Sequence, residues 1–283
     1  MTCPLCGAGT LTRIVRGPHD AWAMWRCGEC FAYPILPWLA SNPSQYDQGY
    51  FERGEVGTAA FTGYLSYDNA RPLMRDEAKR LLGPWVKPGQ RVLDLGCATG
   101  VALEALARLG LDPTQMTGVD VSDYAISVAR SFLPMATFQV ANIESQQLKG
   151  EYDLILLLDV IEHVQAPASL LRRVAALLTP AGKIVMTTPD PNSLLRRVFG
   201  SRWTEFHPGE HLVFVGRDWI EKEASANGLT IKRMWHHGKQ VTLHHLATRL
   251  RGYLPWFPRL KSERRIRVNG YDQLAVVLER PIP

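Results

Sequence analysis

Hydrophobic positions along this chain fall into short runs separated by amphipathic stretches, and the alternation becomes regular after residue 71. Over residues 71–82, Leu73, Met74, Ala78, Leu81 and Leu82 share one side of a predicted helix. Residues 91–95, 116–121, 137–141 and 152–160 read as strands. The last is nearly continuous apolar sequence, as in a strand buried on both faces. Helices are predicted over 100–109, ending at Gly110, over 122–132 with Ser122 as the cap, over 168–178, and over 217–227. Thr179-Pro180-Ala181-Gly182 reads as a turn into a strand at 183–188, and strands at 229–235 and 274–278 complete the set. Strands alternating with helices predict an α/β fold, a doubly wound sheet of seven mostly parallel strands.

Ligands in such sheets bind at the carboxyl ends of the strands, so polar residues there are the first candidates. Asp94 closes the first strand of the regular region and leads into Gly96-Cys97-Ala98-Thr99-Gly100. A glycine turn between strand and helix lets the backbone approach a ligand closely. A dinucleotide fingerprint requires glycines at relative positions one, three and six. Here those positions hold Gly96, Ala98 and Val101, and only the first fits. Asp120 and Val121 end the next strand, Asn142 and Ile143 follow the third, and Asp159 and Val160 end the fourth. An acid in the place of Asp120 can accept both hydroxyls of a ribose, and an amide in the place of Asn142 can read an adenine edge.

Four of the five cysteines lie in the first thirty residues, as Cys3-x-x-Cys6 and Cys27-x-x-Cys30. This spacing fits a tetrahedral zinc site, with short strands at 11–15 and 21–26 around Gly17-Pro18 making a small zinc ribbon. Four thiolates leave no open position, so the metal's role is structural. Two disulfides, or iron in place of zinc, are the competing readings. The disulfides need an oxidising compartment, and no leader sequence is visible to supply one.

The stretches VLDLGCATG at 92–100, GVDVS at 118–122, ANI at 141–143, DVIEHV at 159–164 and LTPAGK at 178–183 together resemble the class I S-adenosylmethionine-dependent methyltransferases, over roughly residues 71–280. The resemblance implies a seven-stranded Rossmann-like methyltransferase sheet with S-adenosylmethionine as cofactor. It implies that the glycine turn with Asp94 holds the methionine moiety, that Asp120 binds the ribose, that Asn142 and Ile143 flank the adenine, and that Asp159 and Val160 line the sulfonium and substrate side. Ala98 departs from the glycine that many members carry. With the ribbon and the segment WTEFHPGEHLVFV at 203–215, the layout is similar to bacterial methyltransferases of polysaccharide and natural-product pathways, and more loosely to quinone O-methyltransferases. The implied acceptor is a small molecule or glycan, and the implied reaction is chiefly O-methylation, with C- or N-methylation or RNA base methylation as alternatives. A hydroxyl acceptor benefits from a base; His211 is the first candidate and His163 the second, with a structural role for His163 weighed ahead of catalysis.

Composition adds bounds. The chain has 283 residues, 46% of them hydrophobic, and a net charge of +5. No segment reaches the ~20 apolar residues of a membrane span, and a cytoplasmic location is expected. The ribbon is barely basic, with Arg13, Arg16 and Arg26 against Asp20 and Glu29, which argues against nucleic acid. The expected organisation is a ribbon over 1–40, an aromatic connector or lid over 41–70, and the main domain over 71–283, with insertions at about 190–216 and 236–270. Seven Lys or Arg between residues 249 and 267, near Trp256 and Phe257, read as the solvated face of a packed helix, or as a peripheral contact with an anionic membrane surface.

Overall fold

The computed structural model describes residues 1–37, 46, 47, 50, 67–207, 209–254, 256–262 and 264–281. The ribbon's hairpin comprises β1 (Leu11–Arg16) and β2 (Ala23–Cys27), followed by β3 (Tyr33–Leu36). The main sheet is built from β4 (Val92–Leu95), β5 (Met116–Asp120), β6 (Thr137–Val140), β7 (Tyr152–Leu158), β8 (Leu178–Pro189), β10 (Thr230–His236) and β13 (Gln273–Glu279). Their order is β10-β13-β8-β7-β4-β5-β6. β13 runs antiparallel to both neighbours, and β4 to β8 are mutually parallel.

Helices α1 (Tyr67–Leu82), α2 (Val101–Ala107), α3 (Asp123–Phe132), α4 (Pro167–Ala176), α5 (Leu194–Phe199), α6 (Arg217–Ala226) and α7 (Leu243–Tyr253) connect and flank these strands. α2 starts from Gly100 in the left-handed conformation, and α3 from Ser122, whose hydroxyl accepts from the Ala125 amide. Leu154, Ile155, Leu156 and Leu157 are wholly buried, as the unbroken apolar run of β7 requires. They divide between two apolar clusters, Ile155 and Leu157 in one and Leu154 and Leu156 in the other.

Three features depart from the sequence reading. The turn expected at 179–182 is enclosed within β8, where the pairing with β7 jumps from Tyr152↔Leu178 to Leu154↔Lys183; the extra residues bulge out without ending the strand. A two-residue strand, β9 (Val213–Phe214), leaves the main domain and pairs with β3, giving a second sheet ordered β1-β2-β3-β9. The insertion at 236–270 is a two-stranded sheet of β11 (Lys239–Thr242) and β12 (Arg265–Val268), with α7 between them. Trp256, Arg259, Lys261, Arg264, Arg265 and Arg267 are exposed on it. Among the described residues, no helix is long and apolar enough to cross a membrane.

Candidate active site

The carboxyl ends of β7, β4, β5 and β6 lie side by side and bring the predicted cofactor residues together. The turn after β4 is pinned to β5: the Gly96 and Cys97 amides both donate to the Val119 carbonyl, at 2.8 and 3.1 Å. Gly96 has φ +73°, and a Cβ there would stand 2.6 Å from Val160 Cγ2, so only glycine lets the β4 and β7 turns meet. Ala98 also lies in the left-handed region, at φ +47°, a conformation an L-residue occupies at a cost of roughly 1–2 kcal/mol. The Cys97 thiol is buried beneath β5, where a Cβ on Gly118 would meet it at 2.8 Å. The thiol donates to the Ala98 carbonyl at 3.7 Å, within the turn itself.

Asp94 is buried, and its Oδ2 has no hydrogen-bond partner. Burial, and then the negative charge of Asp120, push its carboxyl up to about 7. An orphaned carboxylate oxygen inside a glycine turn is the expected signature of a site that a cationic ligand group completes. Asp120, by contrast, is already engaged. Its Oδ2 accepts from the Ala98 amide at 2.8 Å and its Oδ1 from the Ser122 amide at 2.9 Å. Each oxygen keeps a second lone pair for a sugar hydroxyl. The half-buried Val121 follows it. Asn142 Oδ1 accepts from the Glu144 amide at 2.9 Å and, with half-buried Ile143, borders the end of β6.

On the other side, Asp159 is exposed with φ +54°. Its Oδ1 accepts from Thr187 Oγ1 at 2.8 Å and from Gln273 Nε2. His163 Nδ1 donates to the Glu210 carbonyl at 3.0 Å, and Tyr46 Oη lies 3.3 Å from the same nitrogen. Burial pulls the His163 imidazole down to about 4, so it is neutral at pH 7. His211 is buried, and its Nδ1 donates to the Glu205 carbonyl at 2.7 Å. The neutral His163 imidazole therefore carries its acceptor lone pair on Nε2. The rings are 4.7 Å apart. Glu162 is buried beside them; burial, and then the nearby charge of Asp159, hold its carboxyl well above the usual range, and it accepts from Thr188 Oγ1 at 3.1 Å. One atom each from Glu162, His163 and His211 lies within 4.8 Å of the other two, a set that could hold a divalent cation.

Thr187, Thr188 and Gln273 were not singled out in the sequence. The strand-end rule that selects Asp94 and Asp120 also selects the two threonines, at the end of the strand predicted over 183–188. Gln273 carries no local signal beyond being a polar residue opening an apolar strand. Of the lid aromatics, Tyr46 reaches His163, whereas Phe51, Phe61 and Tyr64 lie outside the described residues.

The N-terminal cysteines form a third cluster. Cys3 Sγ is 3.7 Å from Cys30 Sγ, and Cys6 Sγ is 3.8 Å from Cys27 Sγ. Both separations are too long for a disulfide of about 2.05 Å. They match the edge of a tetrahedron with metal–sulfur bonds of about 2.3 Å, which is ~3.8 Å. Burial acts to raise the Cys27 thiol, but the amides of Cys30 and Glu29, each donating to its sulfur at 3.4 Å, outweigh that and bring it to about 7. The four sulfurs fit zinc.

Comparison with known proteins bears on the family and the fold. The methyltransferase-domain family matches residues 66–233, more than half of the chain. The ubiquinone biosynthesis O-methyltransferase of Acinetobacter baylyi is 33% identical over 126 residues, covering 41% of this chain and 51% of that protein. Its counterpart in Xanthomonas campestris is 28% identical over 192 residues, covering 64% and 74%. The chain spans about half the length of the first curated relatives it matches. Among solved structures, the magnesium protoporphyrin IX methyltransferase of Synechocystis superposes with a TM-score of 0.53 at 18% identity, over 80% of this chain and 91% of that one. That likeness is one of fold.

Proposed function

We infer that this chain, which belongs to the methyltransferase-domain family, transfers a methyl group from S-adenosylmethionine to a hydroxyl of a small-molecule or glycan acceptor. The observation that carries this reading is the unpartnered, buried Asp94 oxygen in the glycine turn, beside an Asp120 that retains lone pairs for a ribose. The O-methyltransferase relatives favour oxygen as the acceptor atom. When bound, the cofactor supplies an electrophilic methyl carbon on a sulfonium.

The chain's own residues would do the rest. Asp94 and the glycine-turn backbone hold the methionine end, Asp120 holds the sugar, and Asn142 and Ile143 flank the base. Asp159, fixed by Thr187 and Gln273, faces the acceptor side. His211 is the base: its Nδ1–H is tied to the Glu205 carbonyl, and its Nε2 takes the hydroxyl proton as the new carbon–oxygen bond forms and the carbon–sulfur bond breaks. His163, neutral and tied to the Glu210 carbonyl, packs against His211 and fixes its orientation. The four cysteines hold one structural zinc.

His211→Ala is expected to lower turnover by ~100-fold or more while changing cofactor affinity less than threefold, as loss of a general base should. Unchanged turnover on an accepted hydroxyl substrate removes His211 from this role. A second reading is favoured by the convergence of Glu162, His163 and His211. A divalent cation there would acidify the acceptor oxygen directly and replace the base. Metal analysis separates the two, because the base reading expects one metal per chain and the cation reading two.

A further inference from the structure

Val213 and Val215 of the segment that carries His211 pack into the apolar cluster of the main sheet, but its strand pairing lies elsewhere. Among the described residues, β9 pairs with no strand except β3. β3 begins three residues after the last cysteine of the ribbon, and its register against β9 is Tyr33↔Phe214 and Pro34↔Val213. The Ile35 amide then donates to the Leu212 carbonyl at 2.9 Å, and the Leu212 amide donates to the Glu162 carbonyl at 2.8 Å. Leu212 is the chain neighbour of His211. The residue beside the imidazole is therefore clamped between the ribbon on one edge and the Glu162–His163 turn on the other.

Packing repeats the arrangement. One buried cluster unites Val15, Trp22, Met24, Tyr33 and Ile35 of the ribbon with Trp203 and Phe214 of the His211 segment. Phe206 joins it, 4.6 Å from the Trp22 ring, and the Phe214 ring lies 5.5 Å from that of His211. Polar ties surround the cluster: Tyr33 Oη donates to Asn192 Oδ1 at 2.9 Å, Arg26 pairs with Asp218 at 2.9 Å, and Lys222 Nζ donates to the Glu29 carbonyl at 2.7 Å. Cys3, Cys27, Cys30 and Ala32 also join the apolar cluster that contains Leu95 and Val119, whereas the hydrogen bonds of Gly96, Cys97 and Asp120 described above involve no ribbon residue.

A module of about 40 residues buries too little apolar surface to hold its own shape, and metal binding at such sites supplies the folding free energy. We propose that the metal-bound cysteine cluster is a positioning element of the acceptor site: zinc fixes β3, β3 fixes β9, and β9 with Leu212 fixes the His211 imidazole, while the cofactor half of the cleft stands independently. This rests on His211 belonging to the acceptor side. Binding of the demethylated cofactor, S-adenosylhomocysteine, is a separate readout that keeps the two ideas distinguishable.

The test uses the full chain, zinc-loaded and after chelator treatment, with hydrogen exchange followed by mass spectrometry and the His211 imidazole signal followed by NMR. The signal is assigned by its loss in His211→Gln. Zinc removal is expected to raise exchange of the Leu212 amide by about 100-fold or more and to move the His211 signal. Exchange in β4 and β5 should hold, S-adenosylhomocysteine affinity should stay within threefold, and zinc addition should restore the original state. Ile35→Pro, which deletes the donor to Leu212 but no cysteine, is expected to keep its zinc and reproduce the same changes at Leu212 and His211. Unaltered exchange and signal in the zinc-free chain overturn the proposal. So does loss of S-adenosylhomocysteine binding together with the ribbon, because the zinc would then be a staple for the entire fold.

Discussion

Asp94 shows how one residue can be legible in sequence and still acquire its meaning only from surroundings. Its place at a strand end before a glycine turn marks it as a ligand contact; its burial beside Asp120 sets its protonation. The folded-state value of about 7 stands above the ordinary 3.8, so between pH 4 and 7 the ligand-free fold keeps a proton that the unfolded chain has released. The stability of the empty protein should therefore fall as pH rises through that window, by an amount on the order of 4 kcal/mol if no other group compensates. In Asp94→Asn that decline should disappear, as urea midpoints measured from pH 4.5 to 7.5 would reveal. A ligand carrying an ammonium group favours the ionised form, so its affinity should climb through pH 7 in the parent protein and be flat in the variant. Asp120 illustrates the opposite case. Sequence spacing assigned it to a sugar, but its nearest partners are the Ala98 and Ser122 amides, so it also ties the first two turns of the site together.

At the level of elements, the parallel strands were readable because each is a local apolar run bounded by a turn, and the helices because their apolar positions recur on one face. The failures share a cause, pairing between distant segments. β9 is two residues within HLVFV, with no period long enough to identify it, and β3 contains Pro34, which lacks the amide of a ladder donor. β11 and β12 find each other across an intervening helix. Together β3 and β9 bring the ribbon against the acceptor side, and Phe214 is their packing centre. Phe214→Ala empties a wholly buried site and should cost about 3–5 kcal/mol of unfolding free energy. The check is a urea titration; a change below about 1 kcal/mol would mean that the two sheets are not packed as described.

Across the whole molecule, two units of different physical origin share one cleft. The apolar cluster of the main sheet takes in Cys3, Cys27 and Cys30 of the N-terminal unit, whose four sulfurs are spaced as one zinc requires. Elemental analysis of the purified chain should give at least one zinc, and replacing Cys27 and Cys30 with serine should remove one equivalent; a protein that never holds zinc would return the cysteines to the role of ordinary buried thiols. The seven-stranded sheet was foreshadowed by five short motifs and O-methylation by the same resemblance, while the ties of Asp159 to Thr187 and Gln273 were not, because those residues converge from segments far apart in sequence. The decisive measurement is calorimetric titration of the zinc-loaded chain with S-adenosylhomocysteine at pH 8. Saturable binding at one ligand per chain, weakened at least tenfold in Asp94→Asn, is the predicted result. No detectable binding by the intact, folded chain would contradict it.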